Sequence, residues 1–300
     1  MSKQRITGDR PTYTAPIERY GKRTLAKGVE LLEDTKVTGL NNNVLVIGNS
    51  GCGKTGSYIC SVLSDIKSSV ILQDVKGLLY DMFEGELRAK GYNIIKLDFT
   101  EPEKSQGYNP LAAVKRNKDG SIYEPDVKAI ADAISPVSSG CKEPYWDMSA
   151  ASMIEFAIAY ALEALPKEYH NMTSVLELFH TYIQNNGDAY FVKWIKDNPN
   201  TLSTRLFSET QATRPSDRTF ASTAGIAASH LNCFNMKELR YIFDNKISVD
   251  LADIGRRKTA VFIKTSDTEH NLDNLVSLFY TQTLQAPVSY THLRAHETSL

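Results

Sequence analysis

The chain has 300 residues, 42% hydrophobic and 23% charged, an ordinary globular balance with enough apolar content to bury a core. A formal net charge of -1 excludes bulk attraction to nucleic acid, so any such contact needs a local basic surface. No apolar run approaches the ~20 residues of a membrane helix, Met1 to Arg10 lacks a signal-peptide core, and Cys52, Cys60, Cys141 and Cys233 form neither a C-x-x-C pair nor a secreted framework, so a soluble chain with reduced thiols is expected.

Residues 1–40 are polar and mixed in charge, with helical periodicity around Thr24 to Leu32, and read as an adaptor segment. Val44, Leu45, Val46 and Ile47 form a short apolar run ending in glycine, which predicts a strand buried on both faces of a parallel sheet. A helix is expected from Lys54 to about Ile66. Two further strands are expected at Ser69 to Leu72 and Asn93 to Leu97, separated by a helix over Leu78 to Lys90 that Gly91 stops. Strand, helix and strand at these lengths imply right-handed parallel crossovers and an α/β fold.

From Tyr123 the texture turns helical, with helices predicted at Val127 to Ile134, Ser149 to Leu165, Ser174 to Ile183 and Ser222 to Leu231. Strand character returns at Lys258 to Lys264, followed by an amphipathic helix at Asn271 to Leu284. The expected organisation is therefore an α/β domain in two parts, 41–121 and 236–285, around an all-α insertion at 122–235. Residues 286–300, which resemble a translated sequencing adapter, are read as a non-native tail without a fold of its own.

Gly48-Asn49-Ser50-Gly51-Cys52-Gly53-Lys54-Thr55 matches G-x-x-x-x-G-K-[ST] in full, between the first predicted strand and a helix. Glycines at 48, 51 and 53 allow backbone conformations closed to other residues and turn successive N–H groups toward phosphate oxygens. Lys54 then reaches the outer phosphates of ATP, and the Thr55 hydroxyl ligates Mg²⁺. A chance glycine-rich turn is the competing reading, and the four fixed positions coincide in roughly one chain in a hundred.

Asp74 and Asp98 end two predicted strands, where open α/β sheets bind ligands, and Ser266 and Asp267 follow the later one. Each acid either orients magnesium or water, or serves as a helix cap or loop carboxylate. The six histidines lack metal-ligand spacing and read as structural or surface groups. Lys115, Arg116 and Lys118 read as a solvated charged turn or a small basic patch.

The phosphate loop, Asp74-Val75-Lys76-Gly77, Tyr108-Asn109-Pro110-Leu111, Tyr145-Trp146 and Leu275-Val276-Ser277-Leu278-Phe279-Tyr280-Thr281-Gln282, taken in order, resemble the TraG/TraD-type coupling ATPases of type IV secretion and conjugation. The resemblance implies a RecA-like P-loop NTPase fold, ATP and Mg²⁺ as cofactors, and a homo-hexameric motor at the cytoplasmic face of the bacterial membrane. It also implies partners: relaxase-bound single-stranded DNA or effector proteins, and the channel proteins that receive them. Val75 and Leu78 replace the proline and glutamate usual in that family's segment, so only Asp74, Lys76 and Gly77 carry over. The family's acidic strand is expected beyond Gln285, which implies ATP binding without efficient turnover in this chain. A HerA/FtsK-like DNA translocase and a non-hydrolysing nucleotide-gated adaptor are the alternatives.

Overall fold

The computed structural model describes residues 22–26, 28–32, 34–39, 41–137, 143–244, 248–266 and 272–297, with backbone alone at 24, 26, 35, 213 and 286–297. Two compact units divide the chain: residues 1–69 with 291–300, and residues 70–290.

The first unit opens with an antiparallel hairpin, β1 (Lys22–Ala26) and β2 (Val29–Leu32), where helical periodicity had been expected. Gly28 explains the difference, because it sits between the strands at φ +77°, a turn conformation that interrupts any helix. A single turn, α1 (Thr35–Thr38), follows. The helix predicted after the phosphate loop begins as a π-turn over Thr55–Ile59 and continues as α2 (Cys60–Ser64).

Val44 to Ile47 form no strand, contrary to expectation, and stand 37%, 83%, 40% and 85% exposed in chain order. The apolar run carries the local pattern of a buried strand, but burial on both faces also requires neighbouring strands and covering helices. The parallel sheet is built wholly from the second unit.

That sheet has three parallel strands in the order β3 (Val70–Gln73), β5 (Thr259–Lys264), β4 (Asn93–Asp98). β5 lies between the two strands that precede it in sequence, pairing Ala260 with both Val70 and Ile94. Helix α3 (Leu78–Ala89) makes the crossover from β3 to β4 and buries Leu79, Phe83 and Leu87, one per turn, while Leu78 and Met82 face solvent. It stops at Gly91, whose φ of +81° lets Tyr92 N–H reach back to the Leu87 carbonyl. The outer edge of β4 is occupied: Lys96 N–H donates to Gln106 Oε1, Gln106 N–H to the Lys96 carbonyl, and Asp98 N–H to Ser105 Oγ.

The helical layer comprises α4 (Glu124–Ile134), α5 (Tyr145–Ala164), α6 (Met172–Ile183), α7 (Ala189–Asp197), α8 (Leu202–Thr210) and α9 (Asp217–Asn235). α5 is its axis, buried around almost its whole circumference. Phe156 on α5 packs its ring 5.1, 5.2 and 5.5 Å from Tyr182, Phe191 and Phe207 of α6, α7 and α8. Sequence reasoning missed α7 and α8. The start of α8 is held by Glu163 of α5, whose carboxylate accepts from Leu202 N–H, Ser203 N–H and the Ser203 hydroxyl. Two single turns, α10 (Arg240–Phe243) and α11 (Asp253–Arg256), lead back to β5.

The last helix, α12 (Asp273–Glu297), runs through most of the segment expected to lack a fold. Residues 273–297 contain no glycine, and Pro287 is the one residue there without a backbone N–H to donate. Among the described residues no helix is long and apolar enough to cross a membrane.

Sheet and helical layer share one core, in which Leu97, Val261 and Ile263 meet Val127, Ile154 and Phe279. Two of the motif segments interlock there. The Tyr108 hydroxyl donates to Gln282 Oε1 at 2.6 Å, and Gln282 Nε2 donates to the Pro110 carbonyl at 3.1 Å, all out of solvent. Burial raises the Tyr108 phenol well above its ordinary value, so it remains a donor. Tyr108→Phe leaves the buried Gln282 oxygen without its donor and is expected to cost about 1–3 kcal/mol, read as a lower urea midpoint at unchanged slope. An unshifted midpoint would show that the bond contributes nothing.

Candidate functional site

The loop Gly48 to Thr55 closes on itself around the Lys54 side chain. Lys54 Nζ donates to the Gly48 carbonyl at 2.7 Å and the Asn49 carbonyl at 2.9 Å, with Cys52 Sγ at 3.8 Å. Cys52 N–H returns to the Asn49 carbonyl at 3.3 Å, tightening the turn. Gly51 and Gly53 take φ of +79° and +83°, where a side-chained residue is strained. Gly48 is constrained differently, since a Cβ there would stand 2.4 Å from Cys52 Sγ. Ser57 fastens the start of the helix through its N–H and its hydroxyl, both donated to the Gly53 carbonyl.

This geometry suits a polyphosphate. Asn49, Ser50, Gly51, Cys52, Gly53 and Thr55 are solvent-exposed, and the loop leads directly into helical backbone, whose first N–H groups have no partners within the helix. No cluster of three His, Cys, Asp or Glu side chains able to hold a metal ion exists among the described residues. A magnesium ion here would rest on Thr55 Oγ1, phosphate oxygens and water, an arrangement usual for that ion.

The two predicted acids at strand ends are both spoken for. Asp74, 5% exposed at the end of β3, accepts Tyr80 N–H on Oδ2 at 2.8 Å and Gly77 N–H on its carbonyl at 2.9 Å, so it organises the first turn of α3. Gly77 suits that turn through its φ of +70°, and a Cβ added there would lie 3.3 Å from Lys264 Cδ, close enough that the lysine side chain would have to shift slightly.

Asp98, fully buried at the end of β4, accepts on Oδ1 from Thr100 N–H, Thr100 Oγ1 and Glu101 N–H at 3.1, 2.8 and 2.8 Å. Its Oδ2 faces Lys96 Nζ at 3.1 Å and Lys264 Nζ at 3.5 Å. Burial alone would raise its pKa. The Glu101 N–H, the Thr100 hydroxyl and the two ammonium groups outweigh that and hold the carboxyl below its ordinary value. Asp98 is thus a loop carboxylate locked in an ion cluster.

Sequence reasoning overlooked the cationic half of that cluster. Lys264 also pairs with Glu101 at 3.0 Å, tying β5 to the loop after β4. A lysine ending the strand between two acid-ended strands was a usable signal, but only with the strand order known. Thr265 accepts from Gln73 Nε2 at 3.3 Å, joining β5 to β3 at the same edge. Ser266 has bonding partners of its own, and Asp267 lies outside the described residues.

The other candidates have structural duties. Arg116 donates to the Leu162 and Gly120 carbonyls, and Lys115 pairs with Asp126 and lies 4.7 Å from the Tyr123 ring centre. His170 bonds the Leu165 carbonyl and His230 the Ser135 hydroxyl. Cys52, Cys60 and Cys233 are free thiols, with Cys233 pushed up to about 11 by burial, while Cys141 lies outside the described residues.

Comparison with curated proteins finds no match. Among solved structures the fold is similar to that of a bacterial conjugative coupling protein, TrwBdeltaN70, in an unbound form: 16% identity and a TM-score of 0.57 over 89% of this chain and 56% of that one. The plasmid coupling protein TrwB in complex with ADP and Mg²⁺ gives 15% identity and 0.58, over 88% and 56%. Its complex with the non-hydrolysable GTP analogue GDPNP gives 15% and 0.56 over the same shares. The chain thus spans little more than half the length of these solved relatives, and it shares their α/β fold. The family model for type IV secretory system conjugative DNA transfer matches residues 2–294, nearly the whole chain, and the chain belongs to that family.

Proposed function

We propose that this chain is the nucleotide-binding part of a conjugative coupling motor. Gly48 to Thr55 hold ATP, with Lys54 against the outer phosphates and Thr55 on Mg²⁺. Bound Mg²⁺ draws negative charge off the phosphate oxygens, and the loop's N–H groups and Lys54 supply the rest of the neutralisation. The observation that carries this reading is the Lys54 ammonium turned into its own loop, between the Gly48 and Asn49 carbonyls, with Gly51 and Gly53 in the left-handed region.

The family match supports a role in DNA transfer, and the TrwB complexes with ADP and Mg²⁺ and with a GTP analogue support the choice of ligand. In the whole protein this part would work in a homo-hexamer at the cytoplasmic face of the membrane. That assembly would pass relaxase-bound single-stranded DNA, or protein, to the channel subunits. Asp74 acts through the backbone it holds, as a positioning residue for the strand-end loop. The domain division at 41–121, 122–235 and 236–285 belongs to the same proposal. Titration of a fluorescent ATP analogue with and without Mg²⁺ tests the reading. Saturable, Mg²⁺-enhanced binding that unlabelled ATP displaces is expected, and no saturable binding would end it.

A further inference from the structure

The turn between α6 and α7, residues 184–188, is exposed at Asn186 and tight at Gly187. Asn186 takes a φ of +59°, the one side-chained residue among those described to enter the left-handed region. Asparagine does so more readily than most residues. Gly187 is fixed by space instead, because a Cβ added there would stand 1.8 Å from the Thr181 carbonyl oxygen and 3.1 Å from that of Gln184. Two separate demands of one turn thus place an asparagine directly before a glycine.

That pairing carries a reaction of its own. The Gly187 amide nitrogen is within reach of Asn186 Cγ through a five-membered ring, and glycine, having no side chain, leaves that nitrogen unshielded. Attack forms an N–C bond and breaks the bond from Cγ to the side-chain nitrogen, which departs as ammonia with the Gly187 amide hydrogen. The product is a succinimide. Water opens it at either carbonyl, giving aspartate in a normal backbone or isoaspartate, whose main chain is longer by one methylene.

In the folded chain the nucleophile is engaged. Gly187 N–H donates to the Gln184 carbonyl at 3.0 Å, while the Asn186 and Gly187 carbonyls accept Ala189 N–H and Tyr190 N–H at 3.1 and 3.2 Å. These bonds start α7, whose Phe191 is fully buried with its ring 5.2 Å from Phe156 and 4.8 Å from Tyr160. Ring closure needs the Gly187 nitrogen released and its backbone turned toward Cγ, so the turn must open first. We propose that Asn186 is a spontaneous modification site gated by opening of the α6–α7 turn, and that isoaspartate there prevents the turn from closing again. The longer main chain must pass where the Thr181 carbonyl leaves no room even for a Cβ. α7 is the element released.

Peptide mass mapping of the whole chain, aged in mildly alkaline buffer, tests this, with isoaspartate counted by enzymatic methyl transfer from S-adenosylmethionine. In urea above the unfolding midpoint Asn186 should convert faster than Asn185, which precedes an asparagine. In the native chain conversion should be slower by roughly 10-fold or more, and urea below the midpoint should raise it. Phe191→Ala, which loosens the seat of α7, should move the native rate toward the unfolded one, and Asn186→Gln should lose the product. The isoaspartyl chain, separated by chromatography, should unfold at a lower urea midpoint than Asn186→Asp, which carries the same charge on an unaltered backbone.

Equal rates in native and unfolded chains would overturn the gate, and no conversion in the unfolded chain would overturn the site. Should Phe191→Ala fail to fold, urea below the midpoint still decides. A rate that stays flat until global unfolding would place the reaction in the unfolded chain and not in the opened turn. An isoaspartyl chain as stable as Asn186→Asp would overturn the release of α7.

Discussion

Lys54→Ala is expected to lose nearly all affinity for ATP, by roughly 100-fold, while the chain stays folded. Among the described residues the Lys54 ammonium is the cation bonded within the loop, to the Gly48 and Asn49 carbonyls, and it is ready to turn to phosphate oxygens. Charge-assisted hydrogen bonds contribute about 1.5–3 kcal/mol each, so losing one or two on the outer phosphates accounts for a change of this size. Lys54→Arg should recover little of it, because the wide guanidinium fork does not fit a turn closed by Cys52 N–H on Asn49. Unaltered affinity of Lys54→Ala for the fluorescent analogue would remove Gly48 to Thr55 from the site. Urea midpoints of the two chains should agree, since the Lys54 hydrogen bonds among the described residues stay within the loop.

What the sequence disclosed follows from which physical causes are local. β3, β4 and β5 were legible because each is a short apolar run that lies next to punctuation, and α3 because its apolar side repeats every turn until Gly91. The phosphate loop was legible because its glycines answer to backbone conformation, which no distant contact can alter. Strand order was not legible, because β5 enters between β3 and β4 from far along the chain. The same cause hid α8, whose first N–H groups are capped by Glu163 of another helix.

Val44 to Ile47 make the converse point. Their pattern matches that of Ile94, Ile95 and Leu97 in β4, yet the first group is exposed and the second buried, so composition stated a capacity for burial and not its fulfilment. Asp74 and Asp98 had identical credentials as strand-end acids. Only the structure separates them: one sets a helix in place, and the other is neutralised by Lys96 and by Lys264 from a third strand.

Asp98→Ala should therefore destabilise the second unit by about 2–3 kcal/mol and leave ATP affinity unchanged. The substitution strips the acceptor from Thr100 N–H, Thr100 Oγ1 and Glu101 N–H and leaves the ammonium groups of Lys96 and Lys264 facing each other. Both lysines keep some water, which places the cost at the lower end for a broken buried pair. Asp98→Asn preserves the shape and an acceptor, so it should cost less, and it isolates the charge.

The sign with pH follows from the depressed carboxyl. Its stabilisation is complete above the unfolded value of about 3.9 and disappears as pH falls through the lower folded value. Wild type should then lose more stability than Asp98→Asn on acidification below about pH 4, bringing the two chains closer together. Denaturant titrations at neutral and acid pH measure this directly. A constant gap between the chains at every pH would mean that Asp98 contributes by its hydrogen bonds and not by its charge, and a loss of ATP binding in Asp98→Asn would return it to the nucleotide site.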